Sequence, residues 1–343
     1  MNKFLENDLS LESQWRSLIQ FGRNSTTYKF SFAKTLLELS KSNKSHLNLK
    51  DLSEPFALNM VEHLKKNNKQ GNSLSSNFLN VCRKFNQKEI DKDILLQQTE
   101  KLGFVNVIDA FQNIEGGIIP NKFYKKNFNK GNKEIILTDN FFKLCEGVQF
   151  DNLSNETESR WKLVETAWNL NLNPNMIVSY DDGNKVLFII DNSMRRVDIT
   201  SARNALNGYQ KGKCFYSFKD LHIGNSDLIN CDVDHVLPHF NKILHLNSMY
   251  PTNINGVWNL VLSDIKINRH EKRAKFPALK YLERLHKRNE YYIISKHPLS
   301  ETIINQTGKT ENDRIQFLQY HWNIAKENCI HQFKTNEITE NKF

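Results

Sequence analysis

At 343 residues, with 39% apolar and 25% charged side chains, the chain has ample material for a core, which excludes a globally disordered or low-complexity polymer, and its length suits two packed regions. Its 47 Lys and Arg against 38 Asp and Glu leave a net +9, a surplus that attracts polyanions. The longest purely apolar run, Val186 to Ile190, is far short of the roughly 20 residues that cross a bilayer, so no membrane span is expected.

The first eight residues carry Glu6 and Asp8 and no apolar signal core. The five cysteines (Cys82, Cys145, Cys214, Cys231, Cys329) are scattered and odd in number, which suits a reducing compartment. A cytoplasmic location is the resulting expectation. From Leu9 to about Ile114, apolar residues recur at spacings of three and four, as in Trp15, Leu18, Ile19 and Phe30, Phe32, Leu36, Leu37, which predicts amphipathic helices. Ser53 is the expected N-cap of the next helix, with Pro55 in its first turn and Asn67–Gly71 ending it. A further helix over Thr157–Leu170 places Trp161, Val164 and Trp168 on one face, where they read as core. Residues 1–175 are therefore expected to form a mainly helical domain.

Near Ile177 the period changes. Met176–Tyr180 and Lys185–Ile190 predict two strands joined by the turn Asp181-Asp182-Gly183-Asn184. A helix over Thr200–Lys211 stops at Gly212, and helical spacing returns after Pro277 through Leu279, Leu282, Leu285 and later Ile315, Phe317, Leu318, Trp322. The class is thus α+β, with a second domain over 176–333 and a polar tail over 334–343.

The informative stretch runs Cys231-Asp232-Val233-Asp234-His235-Val236-Leu237-Pro238, then a polar loop, then Gly256-Val257-Trp258-Asn259-Leu260-Val261-Leu262, then Ile267-Asn268-Arg269-His270-Glu271-Lys272. It predicts strand, loop, strand and a helix opening near Asn268. On a regular strand Asp234 and His235 leave toward opposite faces unless the backbone turns there. Taken singly, Asn259 also reads as a turn residue and Asn268 as an N-cap.

Taken in order, Asp234-His235, Asn259 and Asn268 resemble the motif of the HNH nuclease family, whose fold is the ββα-metal unit. Asn stands third, as in the HNH domain of CRISPR effector nucleases. The resemblance covers about Arg203 to Phe276. It implies a divalent-metal-dependent endonuclease that hydrolyses DNA, RNA not being excluded, and leaves a 5′-phosphate and a 3′-hydroxyl. His235 would be the general base and Asn259 would hold the loop and orient it. Asp234 and Asn268 would ligate one Mg²⁺ or Mn²⁺, hard cations that suit oxygen donors. His270 stays open as a ligand that replaces or joins Asn268, while His239 and His245 are expected in the solvated loop. By analogy with bacterial restriction and phage-defence HNH proteins, the N-terminal domain would bind DNA, a second copy or a defence partner. The alternatives are a catalytically silent nucleic-acid-binding module and a partner-regulated effector nuclease.

Many HNH proteins hold a structural zinc with two Cys-x-x-Cys pairs. The corresponding positions here read Cys214-Phe215-Tyr216-Ser217 and Asp264-Ile265-Lys266-Ile267, so no structural zinc is expected, and Phe215, Tyr216, Phe218 and Ile267 would fill the space by packing. Nine Lys and Arg between Lys266 and Arg288 face only Glu271 and Glu283. That local surplus predicts phosphate contacts, with Arg269, Lys272 and Lys275 the leading candidates.

Overall fold

The computed structural model describes residues 9–338 except 22–24, 43, 72–75, 115–116, 130, 170–177, 191–195, 224–229, 240–241 and 295–296. The chain divides into two compact units, residues 1–171 and 172–343, and combines helices with strands in an α+β architecture. No helix among the described residues is long and apolar enough to cross a membrane.

The first unit runs α1 (Leu11–Phe21), α2 (Tyr28–Leu39), β1 (His46–Asn48), α3 (Leu49–Lys66), α4 (Asn77–Asn86), α5 (Lys92–Leu102), α6 (Val107–Ala110), β2 (Asn113–Ile114), β3 (Gly117–Ile118), β4 (Tyr124–Asn129), β5 (Asn132–Leu137), α7 (Asp139–Cys145) and α8 (Phe150–Asn169). Helices dominate, as their periodicity predicts, but a three-stranded antiparallel sheet in the order β1-β5-β4 lies among them. Trp15 is fully buried at the centre of an aromatic group, with Phe111, Phe123 and Phe141 rings 5.6, 5.2 and 6.1 Å away. The expected Ser53 cap is corrected. Asn48 caps α3 in a reciprocal box with Asp51, and Ser53 lies one turn inside, its hydroxyl donating to the Leu49 carbonyl at 2.6 Å. On α3 and α8, His63 stacks on Trp161 with ring centroids 3.5 Å apart and bonds Glu165 at 2.8 Å and Glu158 at 3.2 Å.

The second unit continues with β6 (Ser179–Asp181), β7 (Val186–Ile190), β8 (Arg196–Ser201), α9 (Ala202–Gln210), β9 (Cys231–His235), α10 (Lys242–Leu246), a 3₁₀ turn (Val257–Asn259), β10 (Leu260–Asp264), a π-helical turn (Ile267–Lys272), β11 (Phe276–Pro277), α11 (Leu279–Ile294), α12 (Ser300–Thr307), α13 (Glu311–Asn328) and β12 (Gln332–Phe333). The Asp181–Asn184 hairpin forms as predicted, because the Asp181 carboxylate accepts from the backbone N–H groups of Gly183 and Asn184 at 2.9 and 3.1 Å. Met176 and Ile177 lie outside the described residues. A third strand, β8, carries Thr200, so the following helix starts later than predicted, at Ala202, and ends at Lys211 in the left-handed region with φ 55°. Within the expected polar tail, the described residues 334–338 are tied to the unit: Glu337 bonds Lys280 and Arg284 at 2.6 and 2.9 Å, and the Ile338 N–H donates to the Ser217 carbonyl.

Candidate active site at the β9–β10 hairpin

β9 and β10 pair antiparallel in the register Leu260 opposite His235, Val261 opposite Asp234 and Asp264 opposite Cys231. Apolar residues hold this hairpin in place: Val233, Leu260, Val261 and Leu262 are all buried. Before β10, Gly256 approaches Trp258 so closely that a Cβ there would meet the indole at 2.5 Å. Two α11 side chains then brace the turn, Arg288 and Asn289 donating to the Trp258 carbonyl at 2.9 and 3.2 Å. After β10, Asp264 accepts from the N–H groups of Lys266 and Ile267 at 2.9 and 3.4 Å and opens the helical turn, which closes with an i to i+5 bond from Arg273 N–H to the Asn268 carbonyl.

Asn259 is fully buried. Its side chain accepts from Leu237 N–H at 2.8 Å and donates to the Leu237 and Ile254 carbonyls at 3.1 and 3.0 Å. It therefore ties the start of the inter-strand loop to its end, as expected of a loop-holding residue, but it does not itself bond His235. That role falls to Asn255, which the sequence reading missed: its Oδ1 lies 2.9 Å from His235 Nε2. With the amide oxygen so placed, Nε2–H donates and Nδ1 keeps its lone pair, with no hydrogen-bond partner among the described residues. Tyr180 and His239 flank the imidazole with ring centroids 6.1 and 5.1 Å away. Burial, opposed by the nearby Asp234 charge, pushes the imidazole down to about 4, so it is uncharged at neutral pH.

Removing the Asn259 amide leaves three buried backbone groups at the loop ends unsatisfied. Asn259→Ala is expected to destabilise the hairpin by roughly 2–3 kcal/mol, read as faster amide hydrogen exchange across β9 and β10. Unchanged protection would show that the loop closes without it.

Asp234 and His235 have separate surroundings, as strand alternation requires. The Asp234 carboxylate accepts from the Tyr216 hydroxyl at 2.6 Å and from Lys272 Nζ, which lies 3.3 Å from Oδ1 and 3.2 Å from Oδ2. Burial and the Asp234 charge hold the Tyr216 phenol well above its ordinary value, which keeps it a donor. Lys272 Nζ also donates to the His235 carbonyl at 2.6 Å. Asn268 does not join Asp234. Its amide donates at 3.3 Å to Asp232, which Arg269 also clasps through two bonds at 2.8 and 3.0 Å. The expected Asp234–Asn268 ion site is therefore not assembled, and an ammonium already lies on the carboxylate that a divalent cation would need. As arranged, these residues do not fit a resident Mg²⁺ or Mn²⁺.

Two other expectations are corrected. Lys272, expected to contact phosphate, has a side chain only 1% exposed. His245 is not in a solvated loop but buried, its Nδ1 2.9 Å from that of His321 on α13. Of the nine cations between Lys266 and Arg288, Lys272, Arg284 and Arg288 are buried and Lys280 is paired with Glu337. Arg269 is exposed, Lys275 is half-buried, and His270 is exposed. Between the Cys214–Ser217 and Asp264–Ile267 turns, the Asp264 N–H donates to Cys214 Sγ at 3.3 Å, and Lys219 pairs with the Asp264 carboxylate at 2.9 Å. The two turns thus meet through an ion pair and a hydrogen bond, and Phe215 and Phe218 beside them are buried.

No protein-family model, curated protein or solved structure matches the chain.

Proposed function

We propose that the C-terminal unit is an HNH-like phosphodiesterase acting on nucleic acid, with DNA as the first substrate to test and His235 as the general base. The observation that carries this reading is the strand-end imidazole braced by Asn255, uncharged, with Nδ1 open, within a strand, loop, strand and helical-turn sequence that carries Asp234, Asn259 and Asn268 in the family's order. Nδ1 takes a proton from water as the water oxygen bonds to phosphorus. The bond from phosphorus to the 3′-oxygen breaks, and that oxygen takes a proton from solvent. The products are a 3′-hydroxyl and a 5′-phosphate.

Of the three candidates, Arg269 and Lys275 reach solvent, Arg269 while paired with Asp232. Lys275→Ala is expected to weaken binding to all sequences alike and to reduce the slope of log affinity against log salt by about one. Filter binding from low to moderate salt measures this, and an unchanged slope would place the phosphate elsewhere.

A second reading, a binding module without catalysis, is favoured by the enclosure of Asp234 with Lys272. The two are separated by incubating the full chain with supercoiled plasmid, single-stranded DNA and RNA in Mg²⁺, Mn²⁺ or EDTA. Cleavage that His235→Ala abolishes supports the enzyme, whereas binding without cleavage in every condition supports the module.

A further inference from the structure

The turn Ile267–Lys272 brings two cations back onto the two acids of β9. Asp232 and Asp234 lie two residues apart on an extended strand, so their carboxylates share a face, and each meets its own partner. Arg269 takes Asp232 with a side chain 61% exposed, whereas Lys272 takes Asp234 with both side chains enclosed, at 1% and 8%. Solvent and salt screen the first pair and scarcely reach the second. Lys272 is further fixed by its bond to the His235 carbonyl, and Tyr216 supplies Asp234 with a neutral donor. The buried carboxylate is thus both neutralised and hydrogen-bonded from within the chain, which is what a buried charge requires.

We propose that Lys272 is a tethered counter-ion that holds the place of a divalent cation at Asp234, so that the wild-type chain does not bind Mg²⁺ or Mn²⁺ at this carboxylate. A dication on the same oxygens would be set beside an ammonium that cannot retreat into water, and like charges at such separations repel strongly where solvent is excluded. The inference rests on reading Asp234-His235 as the site, but its test needs no substrate.

Mn²⁺ is titrated into the full chain and the free ion is read by electron paramagnetic resonance, with folding checked by circular dichroism. Wild type, Lys272→Arg and Asp234→Asn are expected to leave Mn²⁺ free. Lys272→Met gains one site at least about tenfold tighter than any in the wild type, and Asp234→Asn added to that variant removes it. Lys272→Gln, which keeps a donor for the His235 carbonyl, serves where methionine prevents folding. A wild-type site that Asp234→Asn abolishes overturns the proposal, as does a folded Lys272→Met or Lys272→Gln protein that binds no Mn²⁺. Cleavage assays distinguish this from failure of the phosphodiesterase reading. Cleavage only with added metal overturns the counter-ion and leaves the enzyme standing, while no cleavage in any condition removes the enzyme and leaves the counter-ion to the Mn²⁺ titration.

Discussion

His235→Ala is expected to lower the rate of phosphodiester cleavage by about 10² to 10⁴-fold, the usual contribution of a positioned general base, while nucleic-acid affinity stays within twofold or so of wild type. The split follows from the geometry. The imidazole is 8% exposed and faces Asn255, Tyr180 and His239 rather than the exposed cations of the helical turn, so it adds little to binding. Asn255→Ala is expected to fall between wild type and His235→Ala, because it keeps the base and removes only what fixes Nε2–H. Single-turnover cleavage measures both variants beside a binding titration. A His235→Ala protein that cuts at the wild-type rate would remove His235 from the chemistry, and an equal loss of binding and cleavage would make it a structural residue.

Much of this unit was legible in the sequence because short-range rules govern it. The Asp-Asp-Gly-Asn turn, the alternation that separates Asp234 from His235, and the apolar run of β10 each follow from a few adjacent residues, and the structure has all three. Side-chain destinations across the fold were less legible. Lys272 sits in a run of basic residues, and such a run ordinarily faces solvent. Its inward course depends on the wider π turn and on an acid 38 residues away, neither of which periodicity encodes. Asn255 was hidden among Asn247, Asn253 and Asn259 in a loop where amides are common turn residues, and only the loop closure made by Asn259 singles it out. In the first unit, the helices were predicted from spacing, but β1 and β5 pair across more than 80 residues, a separation that local pattern does not report.

The first unit carries the larger stability prediction. His63 is held between two carboxylates on α8 and against the face of Trp161. Burial alone would lower its pKa, but the hydrogen bonds to Glu158 and Glu165 outweigh that and raise it above the ordinary 6.5. For Glu158, burial alone would raise the pKa from 4.5, but His63 and Lys34 outweigh it and hold the carboxyl low. A raised imidazole stabilises the fold fully below its unfolded value, and that contribution is lost as pH rises through the folded value. A depressed carboxyl stabilises it above its unfolded value, and that contribution is lost as pH falls. The two windows overlap between 4.5 and 6.5, where this pairing contributes most, and its contribution wanes as the medium turns alkaline. His63→Phe keeps an aromatic ring on Trp161 but removes both imidazole contacts, the one to Glu158 and the one to the buried Glu165 carboxylate. The expected loss is roughly 3–5 kcal/mol, as for other buried pairs broken from one side. In the variant the part of the pH response that the imidazole contributes is lost. Amide exchange in α3 and α8 from pH 5 to 8, corrected for the intrinsic rate, measures both effects. Protection that is insensitive to pH in the wild type, or a variant as stable as wild type at neutral pH, would show that the stack on Trp161 alone holds these helices together.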